Sequence, residues 1–346
     1  MKRSLRTTVT ALTATLLLAG CVAGEAADGS VARVDAGDDA AAASTSELSI
    51  DFATYNPLSL VIKDQGWLED ALADDGVSVT WVQSAGSNKA NELLRSGQVQ
   101  VASTAGSAAL LARANGSPIV TIDLYSQPEW SALVTTPDSG ITAVSDLRGK
   151  QIAATKGTDP YFFLLQALAE AGVDPSEVTI ENLQHADGRA ALDSGAVDAW
   201  SGLDPIMADA EQDGSVLFYR NVDFNTYGFL NAREDFLAEQ PEVAQTVVDV
   251  YEYARAWAQE NPEETIDILA EVAGIDPDVA AAVIERTNLG VDPAPGPVQL
   301  DVLTTVGPMF VETGDVPDQD LIDDALATLL DDSLVRAADP SRIGAS

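Results

Sequence analysis

From residue 47 onward the chain alternates between short runs of β-branched and aromatic residues and longer stretches whose apolar positions recur three or four apart. Leu48-Ser-Ile-Asp-Phe-Ala alternates as a half-buried strand does. Residues 57–73 carry Leu60, Val61, Trp67, Leu68 and Leu72 near helical spacing and predict one helix. Residues 77–82 predict a strand. Ser87 then reads as the N-cap of a helix over 88–95, and Gly97 as its stop. A strand over 99–103 and a helix over 107–114 follow. Strands alternating with helices in this way argue for an α/β fold with largely parallel sheets. The last third changes character: 241–259, 262–272, 276–286 and 318–330 all read as helices, expected to pack on the first lobe and complete it.

The pattern contains a near-repeat. Asn91-Glu-Leu-Leu-Arg-Ser-Gly-Gln-Val-Gln-Val-Ala is echoed by Arg189-Ala-Ala-Leu-Asp-Ser-Gly-Ala-Val-Asp-Ala-Trp. Each copy is a helix ending in Ser-Gly, then a short strand, then a turn into another helix. Gly97 and Gly195 stand where a helix C-cap needs positive φ. Two copies almost a hundred residues apart suit two lobes of similar construction. Ligands of open α/β sheets bind beyond the carboxyl ends of the strands, so two such lobes would face each other across a cleft.

The N-terminus has a different pattern. Lys2, Arg3 and Arg6 precede an apolar run over 9–18, which ends in Leu18-Ala-Gly-Cys21. A basic start, a short apolar core and small residues before the cut form a secretory signal. Leu-Ala-Gly-Cys resembles the bacterial lipoprotein signal, which implies that Cys21 is lipidated and becomes the mature N-terminus. The chain has 1 Cys, so Cys21 has no internal disulfide partner. Residues 22–46 are rich in Ala, Gly, Asp and Ser and read as a flexible tether. The expected division is signal peptide 1–20, lipidated Cys and tether 21–46, first lobe 47–132, second lobe 133–230, and a return to the first lobe over 231–346.

The 346 residues carry 18 Lys+Arg and 55 Asp+Glu, a formal net charge of −37. Loss of the three basic signal residues takes this to −40. Such a balance excludes a nucleic-acid partner, which needs a basic footprint, and disfavours an anionic membrane surface. It suits an acidic, solvated exterior that keeps an exported protein soluble. No second stretch reaches membrane-spanning length, so the N-terminal lipid is the one expected membrane link.

The strand ends share a chemistry: Thr54-Tyr-Asn56-Pro, Ala85-Gly-Ser87-Asn88, Thr104-Ala105-Gly106-Ser107 and Thr155-Lys-Gly157-Thr158-Asp159-Pro. Each is a small, hydroxyl- or amide-bearing turn that opens a helix, where free amides and the helix dipole favour an anionic group. The runs Tyr55-Asn-Pro-Leu-Ser-Leu-Val-Ile-Lys, Ala85-Gly-Ser-Asn-Lys-Ala, Ser103-Thr-Ala-Gly-Ser-Ala-Ala-Leu-Leu-Ala, Thr155-Lys-Gly-Thr-Asp-Pro-Tyr and Val197-Asp-Ala-Trp-Ser-Gly-Leu-Asp-Pro resemble the aliphatic-sulfonate-binding family. These are substrate-binding proteins of ABC importers, related to taurine- and nitrate-binding proteins.

The resemblance implies a two-lobed periplasmic-binding-protein-like fold of type II. Its hinge closes on a small solute and delivers it to permease and ATPase subunits. It implies a monomer without cofactor or metal, anchored to the outer face of the cytoplasmic membrane. By position, Asn56, Ser87, Asn88, Thr104, Ala105, Gly106 and Ser107 would form the first-lobe wall. Gly157, Thr158 and Asp159 would face them, with Trp200 and Asp204. Glu129 and Trp130 would lie near one crossover between lobes, and Tyr227 at the return.

The expected cleft holds Glu129, Asp159, Asp187 and Asp204 against Lys156, Arg189 and His185, the single histidine. Unpaired carboxylates would repel a plain anion. A zwitterion or an amine, its ammonium toward Asp159 or Glu129, is therefore the alternative ligand. Asp is also a leading N-cap residue, which offers these acids a purely structural role. His185 stands between a strand and a helix, placed to bond a ligand or to serve the fold. Trp130, Tyr161, Phe162, Trp200 and Tyr227 are aromatic candidates for the pocket, with Phe162 expected in the core and Trp200 at the cleft. The chain has no Walker A loop, no Gly-x-Gly-x-x-Gly, no Gly-x-Ser-x-Gly elbow and no His cluster for zinc, so an enzyme is the weaker reading.

Overall fold

Two separate sheets organise residues 46–343, the part of the chain described by the computed structural model. The signal peptide, Cys21 and most of the tether expected above lie outside these residues.

The first stretch reads β1 (Ser46–Phe52), α1 (Pro57–Gln65), α2 (Trp67–Ala73), β2 (Val77–Gln83), α3 (Ser87–Ser96), β3 (Val101–Ala105), α4 (Gly106–Ala114) and β4 (Ile119–Pro128). The chain crosses to β5 (Ala132–Thr135), β6 (Gln151–Ala154), α5 (Asp159–Glu170), β7 (Thr179–Asn182), α6 (His185–Asp193), β8 (Ala199–Ser201), α7 (Ile206–Gln212) and β9 (Val216–Arg220). It returns as β10 (Gly228–Arg233). Then come α8 (Glu234–Glu239), α9 (Pro241–Glu260), α10 (Pro262–Ala273), α11 (Pro277–Glu285), β11 (Thr287–Asn288), α12 (Pro297–Glu312), α13 (Gln319–Thr328) and α14 (Ser333–Arg336).

The first sheet has the order β2-β1-β3-β10-β4-β11 and the second β7-β6-β8-β5-β9. In each, three strands run parallel and the fourth, a strand that has just crossed over, pairs antiparallel with its neighbours. The plan is the same in both. The Ser-Gly near-repeat marks the same step in each copy, the helix that leads into the third strand. Gly97 and Gly195 both take φ 71°, the left-handed cap that a residue with a Cβ rarely adopts.

Each lobe has its own core, and a third cluster joins them. Leu48, Ile50 and Val101 of the first sheet pack with Val247, Val250 and Tyr251 of α9. Trp200 packs with Val134, Ala153, Leu192 and Met207 in the second. The joining cluster gathers Leu110 of α4, Leu133, Phe162 and Phe163, Phe229 and Phe310. Phe162 and Phe310 stand 4.5 Å apart. The C-terminal helices therefore do more than complete the first lobe: α12 touches α4 and α5, and α11 packs on α7.

Three further expectations change. The helix over 57–73 is two helices, because Gly66 turns left-handed at φ 69°. The turn re-aims Trp67 edge-on to Tyr253 and Trp257. Ser87 is the first helical residue and not the cap, since Gly86 holds that place and the Ser87 hydroxyl is engaged elsewhere. Helix α12, with Pro308 inside it, lies where no helix was expected.

The close approach of α6 to the second sheet depends on Gly188. A methyl group there would lie 2.8 Å from the Trp200 indole. Gly188→Ala should lower stability by about 1–3 kcal/mol through overpacking. Urea unfolding would check this, and an unchanged midpoint would refute the contact.

Candidate functional site

The carboxyl ends of β1, β2 and β3 open into α1, α3 and α4, and β6, β7 and β8 open into α5, α6 and α7. The turns at these ends meet at the two crossovers, one between β4 and β5 and the other between β9 and β10. Asp159 lies at the centre. It opens α5 and is fully buried, and four hydrogen bonds reach its carboxylate. Ser107 Oγ donates to Oδ1 at 2.7 Å and Thr226 Oγ1 to Oδ1 at 2.6 Å. Trp130 Nε1 donates to Oδ2 at 2.9 Å and the Thr226 amide to Oδ2 at 2.8 Å. Each oxygen thus has two donors, which fills its lone-pair capacity. Burial pushes the Asp159 carboxyl above its ordinary range, and these four bonds oppose that shift.

The same hub closes the start of α4. The Ser107 amide donates to Thr226 Oγ1 at 2.8 Å and the Gly106 amide to the Tyr227 carbonyl at 3.2 Å. A side chain at Gly106 would lie 2.4 Å from the Thr226 carbonyl, so the approach requires glycine. The Ala105 amide donates to Ser87 Oγ at 2.9 Å. The two crossovers are tied directly, Ser131 N donating to Asn225 Oδ1 at 3.0 Å.

The remaining expected residues divide into three groups. Asn56, Thr104 and Thr158 are buried and committed within their own lobes. Asn56 caps α1 and donates to Tyr251. Thr104 accepts from Asn231 at 2.8 Å. Thr158 donates to the Thr155 carbonyl at 2.6 Å. Trp200 lies in the second-lobe core beneath α6 rather than at the cleft surface. Glu129 and Asp204 are partnered by cations: Arg220 grips Glu129 with bonds of 2.6 and 3.0 Å, and Arg286 stands 3.6 Å from Asp204. Asp204 also accepts from the Ala208 amide at 2.9 Å, as a helix cap would. Asp187 is exposed, and Arg189 is engaged by Asp209 and Asp213.

Asn88, Gly157 and His185 form the facing walls beside the hub. Asn88 reaches Gln184 at 3.4 Å from the first lobe to the second. Asn88 and Gly157 also line a cavity of about 440 Å³ with Asn91, Glu92, Arg95 and Leu111. His185 is buried with Nδ1 at 3.2 Å from Thr155 Oγ1. Thr155 donates its one hydroxyl hydrogen to the Leu183 carbonyl at 2.6 Å, so Nδ1 is the protonated nitrogen. Nε2 has no partner among the described residues, and a side chain at Gly86 would lie 2.9 Å from it. Burial pulls the ring's pKa down to about 4. Tyr227 contributes its carbonyl to the hub with φ at 65°, a left-handed conformation held by a non-glycine residue.

Beneath the first-lobe wall lies a second buried acid that motif reasoning missed. Asp51 accepts from Ser103 N at 2.8 Å and Ser84 Oγ at 2.7 Å, and Tyr55 joins Ser84 and the Ser103 carbonyl. Burial raises Asp51 to about 7.

The family model described as NMT1/THI5 like matches residues 59–265, more than half of the chain. The chain belongs to the NMT1/THI5-like family. A provisionally named aliphatic sulfonates-binding protein of Bacillus subtilis (strain 168) is 29% identical over 239 residues, covering 68% of this chain and 72% of that one. The taurine-binding periplasmic protein of Escherichia coli (strain K12) is 28% identical over 235 residues, 62% of this chain and 71% of that one. Among solved structures, the alkanesulfonate-binding protein SsuA from Xanthomonas axonopodis pv. citri, bound to MOPS, superposes with a TM-score of 0.73 at 23% identity. It covers 81% of this chain and 97% of that one. The periplasmic aliphatic sulphonate binding protein SsuA from Escherichia coli gives 0.69 at 25% identity, covering 81% and 91%. This family member thus has the periplasmic-binding-protein fold. The desulfurization enzyme DszB superposes at 0.62 with 14% identity, which is likeness of fold alone.

The buried acids set a pH dependence. Asp51 and Asp204 both stand at about 7 in the fold, against an ordinary 3.8. A raised carboxyl stabilises the fold fully below the ordinary value, and this stability is lost as pH rises through about 7. His185 acts oppositely: its share is whole above 6.5 and declines toward 4. Asp51→Asn should therefore flatten the acid-favoured part of the stability profile between about pH 4 and 7, by on the order of 1 kcal/mol per pH unit. Thermal melts across that range would show it, and a slope equal to that of the parent chain would refute it.

Proposed function

We propose that this chain is the extracytoplasmic substrate-binding component of an ABC importer, and that its solute is an aliphatic sulfonate or a similar small solute. The supporting observation is the convergence of strand-end turns from two like-built sheets on one buried junction at both chain crossovers, in a member of this family. Relatives named for sulfonate and taurine binding supply the ligand class. The mechanism is hinge closure: solute contacts to both lobes favour the closed form, which docks on the permease and its ATPase subunits.

The charge of the cleft supports a sulfonate over an amine. Arg220 grips Glu129 and four donors fill Asp159, while Asp204 accepts from the Ala208 amide through Oδ1 and keeps Oδ2 without a hydrogen bond, 3.6 Å from Arg286. The alternative, an amine held by Glu129 or Asp159, would require breaking those contacts. Binding without turnover, a monomeric state and the absence of a cofactor belong to the same proposal. So does the anchor: the chain is exported and tethered by a lipid on Cys21. Among the described residues no helix is long and apolar enough to cross a membrane.

Two measurements test this. In a calorimetry and thermal-shift panel, ethanesulfonate or taurine should bind and raise Tm, whereas matched amines without the acid should not. Binding of amines alone would reverse the ligand assignment. Cys21→Ser should move the exported chain from the detergent phase to the aqueous phase in a phase-partition assay. Unchanged partition would remove the lipid anchor.

A further inference from the structure

Asp159 supplies the one carboxylate in a ring of four neutral donors. The ring is assembled from three separate segments: Ser107 at the start of α4, Trp130 in the first crossover, and Thr226 in the second. Asp159 itself comes from a fourth, the start of α5 on the other lobe. These bonds span 2.6–2.9 Å, and the three donor residues are buried together with Asp159. Donors of this kind, converging on one point away from water, are what a small oxyanion needs. None of them is a cation, so nothing in the ring distinguishes the protein's own carboxylate from one brought by a solute.

We infer that Ser107, Trp130 and Thr226 form the subsite for the solute's acid group, and that Asp159 is its resident occupant, an internal oxyanion that a sulfonate must displace. The inference rests on the sulfonate-binding reading above. Its consequences are two. The Asp159 contacts join both lobes, so the protein can close on its own side chain. The solute competes with Asp159, so the residue sets affinity although it does not touch the bound molecule. If the self-occupied form outnumbers the open one by about ten to one, the apparent affinity for solute falls about tenfold. Displacement is favoured by chemistry. Asp159 is buried without a counter-cation, which disfavours its ionised form. A sulfonate stays ionised and offers three oxygens to the same donors.

The experiment compares the full chain with Asp159→Ala, by small-angle scattering and by calorimetry with ethanesulfonate. Without added anions the variant should have the larger radius of gyration. Sodium formate, standing in for the missing carboxylate, should restore the compact form in the variant and leave the parent unchanged. Ethanesulfonate should bind the variant about tenfold more tightly than the parent. The inference is overturned if the variant stays as compact as the parent without anions, if formate has no effect on an opened variant, or if ethanesulfonate binds it more weakly. Should Asp159→Ala fail to give a cooperative melt, Asp159→Ser, which also leaves room in the ring for formate, carries the same comparison. If formate closes the variant while no sulfonate binds either protein, the subsite stands and the sulfonate reading falls. If sulfonate binds both equally, the reading stands and the subsite falls.

Discussion

A buried carboxylate without a cation beside it is a costly feature, and this fold is arranged around one. Four donors hold Asp159, and they come from the start of α4 and from both crossovers. Taking an ionised group out of water is unfavourable unless its lone pairs are met. Meeting them requires α4, α5, Trp130 and Thr226 to arrive at one point. Other features of the junction follow from that requirement. Gly106 must lack a side chain so that Thr226 can approach, and Thr226 must use both its amide and its hydroxyl. The Ser131–Asn225 bond then fixes one crossover against the other. Moving either lobe by the length of a hydrogen bond would expose the carboxylate on one side and leave donors unmet on the other.

Basic residues are few against the acids, 18 to 55, so their positions are informative. Arg220 and Arg286 stand on Glu129 and Asp204, the two acids that flank the junction. Arg255 is almost wholly buried and donates to the carbonyls of Leu124 and Tyr125, which steadies β4 just before the crossover. Much of the remaining negative charge is solvated surface, where it bears on solubility rather than on recognition. The acidic balance of the chain and an anionic solute are therefore compatible. The net charge belongs to the exterior, while the junction presents neutral donors.

The architecture was legible in the sequence because it rests on local signals. Alternating strands, amphipathic stretches and the two Ser-Gly caps each act within a dozen residues, and the repeated sheet plan follows from them. The strand-end turns were legible as polar turns, but their partners were not. Asn56, Thr104 and Thr158 look the same in sequence whether they face a solute or a neighbouring carbonyl. The structure gives each a protein partner within its own lobe. Thr226 and Asn225 went unread for a related reason. Their work is done across 67 and 94 residues of chain, on Asp159 and Ser131, and nothing in Asn225-Thr-Tyr-Gly announces those distances. The break at Gly66 was hidden by apolar residues that keep helical spacing through it, since a single glycine with positive φ leaves the periodicity on either side intact.

Two kinds of contact join the lobes, and they respond differently to motion. The apolar seam sets Phe310 of α12 against Phe162 of α5, and α11 packs on α7. Dispersion contacts of this kind are non-directional and tolerate small sliding with little change in energy. The hydrogen bonds at Asp159 are directional and weaken steeply with distance and angle. A hinge built from both would keep its cohesion from the seam and its two-state character from the carboxylate. The lobes would stay in contact through their helices while the junction is either made or broken. That division explains why the C-terminal helices reach across to the second lobe instead of only completing the first. A lobe held solely by the Asp159 bonds and two short crossovers would come loose whenever those bonds opened. With α11 and α12 packed across, opening can be confined to the face that the strand ends line.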